Sequence, residues 1–137
     1  MAQSKNTKLL SIALIIYMVI VLVYGVLFLL VPQTLVDASG GEPVGSSWLR
    51  WPGGVLIALG IGSFLVYRNP SKQDAFVIAI ALGTLFSGLA LLYALLFEMT
   101  GDIWFTALPV IILLINSGLL WLGRNQAKDI LCSKDDE

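Results

Sequence analysis

Four apolar runs, each about 20 residues long, constrain this chain more than any other feature. They cover residues 9–31, 48–67, 75–97 and 103–122. A helix needs about 20 mainly apolar residues to cross about 30 Å of hydrocarbon. None of the four runs carries a charge in its middle, and Arg50 lies near the start of the second. Composition agrees: 58% of the 137 residues are hydrophobic and only 12% are charged. A soluble domain carries about 25% charged residues, and the mean hydropathy here is +0.89. The expected fold is all-α: an integral membrane, antiparallel four-helix bundle forming one domain over residues 1–137, with a polar tail at 123–137.

The connections set the expected neighbours. Residues 68–74 (RNPSKQD) and 98–102 (EMTGD) are tight turns, so spans two and three, and spans three and four, are expected to pack as antiparallel pairs. Residues 32–47 form the one long connection, rich in Gly, Ser and Pro, placed to cover the bundle mouth.

Basic residues set the expected orientation. Lys5, Lys8, Arg68, Lys72, Arg124, Lys128 and Lys134 fall on one side and Arg50 alone on the other, which places both termini in the cytoplasm. The tripeptide VDA at 36–38 could serve as a cleavage site. The preceding apolar run has 23 residues, however, against the usual 7–15 or so of a signal peptide, and reads as an uncleaved anchor.

Several chemistries lack their residues. There is no histidine, which removes imidazole as a base and as a zinc or haem ligand. Cys132 is the only cysteine and reads as a plain cytosolic thiol, without a partner for a disulfide or a metal site. No catalytic residue, cofactor or metal is expected, and a net charge of −1 gives no basis for nucleic-acid binding. Gly60–Ile61–Gly62 lies inside an apolar span, not after a strand, so it is no nucleotide loop. The expected partners are the lipid bilayer itself and either a second copy of the chain or a larger membrane complex.

Three groups of residues stand out. In WLRWPGG, residues 48–54, Trp48 and Trp51 flank Arg50 at the membrane edge, and Pro52 fits the first helical turn. Arg50 is expected to pair with Glu98, or failing that with Asp102, Asp37 or Glu42, and Tyr93 lies within reach. The alternative is an arginine bound to lipid phosphate. Second, Gly54, Ala58 and Gly62 form a small-residue ridge, matched on span three by Ala75, Ala79, Gly83 and Ser87. Such ridges let helices approach closely in lipid, so the two are expected to face each other.

Third, Tyr17, Ser63, Thr84 and Asn116 come from four different spans at similar depth. Tyr17 and Asn116 fall about 5 Å to the cytoplasmic side of centre, counting about 1.5 Å per residue. They read as an interhelical hydrogen-bond layer or as one wall of a pocket for a small molecule or lipid headgroup. Tyr24 shares the face of Tyr17. Pro109 frees the carbonyl of Phe105 and is expected to kink span four.

VPQTLVD, LRWPGGVLIALGIG and GLALLYALLFEMTGD together resemble a family of four-span bacterial inner-membrane proteins close to the DoxX-like group. Arg50, Gly53, Gly54 and the Gly101–Asp102 turn carry the resemblance. Two positions depart from it: the family often has an arginine near Tyr93 and a glutamate near Asn116. The resemblance implies a four-span fold and an inner-membrane location, and no reaction.

Three functional classes are compatible with these residues. The first is a non-enzymatic membrane protein, either an accessory subunit or a binder of lipid or apolar small molecules. The second is a small transporter or channel acting as an oligomer, with Tyr17, Thr84 and Asn116 along its path. The third is a membrane redox-associated protein, suggested by the DoxX-like likeness alone.

Overall fold

The structure, a computed structural model, describes residues 7–40, 49–98 and 103–132. Those residues form helices and turns, with no strand among them. The helices are α1 (Lys8–Leu30), α2 (Pro32–Ala38), α3 (Arg50–Arg68), α4 (Asp74–Phe97), α5 (Ile103–Gln126) and α6 (Lys128–Leu131). Of these, α1, α3, α4 and α5 are long and apolar enough to cross a membrane.

Local sequence explains the helix limits. Pro32 begins α2, where its missing N–H costs no helical bond. Pro52 is the third residue of α3, within the first turn, where the N–H has no partner inside the helix. The start of the long connection is therefore helical, and residues 41–48 lie outside the described residues. Helix α5 runs unbroken through Pro109.

The order of packing differs from the order in the chain. Helix α1 is the hub: it packs along α3 and along α5, and α5 packs along α4. Helices α3 and α4, although joined by a short turn, hardly approach along their backbones and meet through side chains beside the turn, as where Gly62 faces Phe76. The expectation that spans two and three form a close pair is therefore corrected. Close approach decides which helices pair. A Cβ on Gly53 would lie 2.9 Å from the Gly25 carbonyl oxygen, and one on Gly25 would lie 3.0 Å from the Gly53 carbonyl oxygen. These two glycines let the backbones of α1 and α3 touch. Gly123 does the same for α5, where a Cβ would come within 2.7 Å of the Leu10 backbone.

The interior is concentrated at one end. Leu10, Leu14, Val66, Val77, Leu120 and Leu131 are all buried there, where α1 and α4 begin and α3 and α5 finish. Helix α6 closes this end through Ala127 and Leu131. At the opposite end Leu30, Trp51, Leu96, Phe97, Ile103 and Trp104 are exposed. The buried core is thus gathered toward the end bearing the 69–73 turn, while at the other end α1 and α3 stay in contact through Gly25 and Gly53. Exposed tryptophans such as Trp51 and Trp104 suit a membrane–water boundary.

Candidate functional site

The small-residue ridges do not meet as expected. Gly54 and Gly83 have nothing within 4 Å of a Cβ position, and Ala58, Ala75, Ala79 and Ser87 are exposed. Only Gly62 makes the expected kind of contact, against the ring of Phe76 beside the turn. Helical spacing places Gly83 and Ser87 on the same side of α4 as Phe76. Above the Gly62–Phe76 contact, that side of α4 therefore borders open space. The physical reason is that the glycine-to-glycine approach of α3 is made with α1 through Gly25 and Gly53, which leaves the Gly54 side of α3 without a close partner.

The expected pairing of Arg50 with Glu98 is also corrected. Arg50 and Glu98 are exposed, and no ion pair joins them among the described residues. Asp37 instead accepts a hydrogen bond of 2.9 Å from Gln33 within α2. Tyr93 packs on Phe97 with ring centroids 5.0 Å apart. Trp48, Glu42, Gly101 and Asp102 lie outside the described residues. Separation of α3 from α4 at this end accounts for the missing Arg50–Glu98 contact.

A tight ion pair sits at the opposite end. Arg124 donates from Nε to Asp74 Oδ1 and from Nη2 to Asp74 Oδ2, each at 2.7 Å. The two side chains are 15% and 21% exposed. Trp121, one turn earlier on α5, lies with its ring 5.4 Å from the guanidinium carbon. The bidentate geometry fixes the last turn of α5 to the first residue of α4. Sequence reading uses Arg124 only as a topology marker and places Asp74 in a turn. Antiparallel packing of α4 on α5 is the signal that would have brought them together.

The four mid-span polar residues are all buried, but their bonds run differently from an interhelical layer. Ser63 Oγ donates to the carbonyl of Leu59 at 2.8 Å, and Thr84 Oγ1 donates to the carbonyl of Ile80. Both bonds return to the residue's own helix, a common way for a hydroxyl to satisfy itself. The bond that does cross between helices comes from Ser117, which donates from Oγ to the carbonyl of Ala81 at 3.0 Å. Sequence reading passes over Ser117 in favour of its neighbour Asn116. Tyr17 and Asn116 stay as separate buried groups. Asn116 is 1% exposed, and neither its Oδ1 nor its Nδ2 has a hydrogen-bond partner. Buried amides are nearly always bonded, so this is the most costly polar group in the interior. Tyr24 is half-buried and packs edge-on to Phe28, with centroids 6.0 Å apart.

Four long apolar helices, charges kept to their ends and an apolar interior holding a few hydroxyls and one amide are the features of a multi-pass integral membrane protein. No family model matches the chain, and no curated protein and no solved structure matches it either.

Proposed function

We infer that this chain is a non-catalytic protein of the bacterial inner membrane, with both termini in the cytoplasm, that binds a lipid or another apolar molecule along the open α3–α4 side of its bundle. The observation that carries this reading is the missing fourth side. Gly83 and Ser87 border open space on α4, and the packed core lies at the far end. Small side chains there leave width for an acyl chain lying between two helices. In a bilayer that space holds hydrocarbon, since apolar lining offers water nothing to bond.

The basic-residue bias supports the orientation. The DoxX-like resemblance supports the location. The transport reading gains less support, because Ser63 and Thr84 turn their hydroxyls back onto their own helices and so do not line a polar path.

Native mass spectrometry from a mild detergent tests the reading. The expected spectrum shows the chain carrying retained lipid or a small apolar molecule. A bare chain, or one held only by a partner subunit, would overturn it. Reporter fusions at both ends test the orientation, and reporters on opposite faces would contradict it.

A further inference from the structure

A second feature lies at the packed end, beneath the α3–α4 turn. Leu65, Arg68, Asn69 and Gln73 line an open cavity of about 360 Å³. Arg68 is in the last turn of α3, and Gln73 immediately precedes α4. Leu65 is exposed on the apolar surface of α3. One lining residue is therefore apolar and the other three, Arg68, Asn69 and Gln73, are polar.

The charges at this end are unevenly matched. Asp74 is held by both arms of Arg124, so its charge is already compensated. No described carboxylate pairs with Arg68, whose guanidinium lies 6.0 Å from the Phe64 ring centre. That leaves the cationic fork of Arg68 beside a cavity at the edge of an apolar span.

We propose that this cavity is a phosphodiester site for the headgroup of an anionic phospholipid. Arg68 takes two phosphate oxygens through its planar fork, a geometry an ammonium cannot reproduce. The side-chain amides of Asn69 and Gln73 donate to the remaining phosphate oxygen and to headgroup hydroxyls. Leu65 carries the first carbons of the acyl chain toward the membrane interior. The volume suits a small polar headgroup. This inference rests on the reading of the chain as a lipid-binding membrane protein, and it names the lipid class and a specific place.

The test uses the full chain in vesicles of equal phosphatidylglycerol and phosphatidylcholine with matched acyl chains. Lipids retained after mild detergent release are weighed by native mass spectrometry. The intact protein is expected to keep phosphatidylglycerol in preference. Arg68→Gln is expected to lose that preference about tenfold, the scale of one charge-assisted hydrogen bond. Gln73→Ala leaves net charge unchanged and is expected to weaken the preference too. Lys128→Gln removes the same charge from a residue that does not line the cavity and is expected to change the preference less than Arg68→Gln does.

Equal losses in Arg68→Gln and Lys128→Gln would overturn the site in favour of a general surface potential. So would an unchanged preference in Gln73→Ala, which decides the matter even if Arg68→Gln does not fold. Inorganic phosphate titrated into lipid-free protein separates the remaining source. If it binds at Arg68 while neither lipid is preferred, the lipid assignment is wrong. A protein that retains both lipids equally contradicts this site alone, whereas one that retains none contradicts the proposed function as well.

Discussion

Arg124 grips Asp74 with two parallel hydrogen bonds of 2.7 Å, tying the last turn of α5 to the first residue of α4. The pair is mostly shielded from solvent, so removing one partner strands the other. Asp74→Asn or Arg124→Gln should each cost about 1–3 kcal/mol, between the values for exposed and fully buried pairs. Thermal unfolding in detergent reads this as a lower Tm. Reversing both, with Asp74→Arg and Arg124→Asp, should recover part of the loss. No recovery would mean the two groups act separately.

The glycines divide into two kinds. At Gly25 and Gly53 a methyl group would meet the backbone of the facing helix. Gly25→Ala or Gly53→Ala should therefore destabilise by about 1–3 kcal/mol through overpacking. Gly54→Ala and Gly83→Ala meet nothing within 4 Å. They should be neutral or stabilise by up to about 1 kcal/mol, as alanine is the better helix former. Melting curves of the four variants check the contrast. Equal losses at Gly53 and Gly83 would show that α4 does pack closely along α3.

Asn116 spends its burial without a bond. Asn116→Leu keeps the volume and removes two unmet polar atoms. It should raise stability by about 1–3 kcal/mol, the cost of leaving a buried polar group unpaired. Chemical or thermal unfolding measures the change. A lower stability would indicate that the amide makes a bond worth more than its desolvation.

Arg50 and Glu98 offer a negative control. Both are exposed and no ion pair joins them. A double-mutant cycle with Arg50→Gln and Glu98→Gln should give a coupling below about 0.5 kcal/mol, as for independent sites. A coupling well above that would restore the pairing expected from helical spacing.

Apolar length is a strong signal, and it is why four helices are legible in the chain. A run such as residues 75–97 has no other stable form across hydrocarbon. Which helices touch is far less legible. Chain order favours α3 beside α4, because residues 69–73 allow nothing longer than a turn. A turn forces its helices together only where it sits, and here the contact ends at Gly62 and Phe76. Gly25 is a lone glycine in a helix that is apolar on every face, so no periodicity points to its partner on α3. Ridges at four-residue spacing, as at Gly54 and Ala58, stand out more and yet face open space. Asp74 and Arg124 are 50 residues apart, and only the α4–α5 pairing brings them together. Asn116 is conspicuous in an apolar span, but its lack of partners depends on the packing around it and not on its own position in the sequence.

Cysteine cross-linking in native membranes tests the open α3–α4 side most directly. In a Cys132→Ser background, Ala81→Cys with Ser117→Cys joins positions that hydrogen-bond between α4 and α5. Val55→Cys with Gly83→Cys joins positions at matching height on α3 and α4, counted from the Gly62–Phe76 contact. The account predicts that mild oxidation closes the first pair quickly and leaves the second open. Equally rapid disulfide formation between residues 55 and 83 would contradict it.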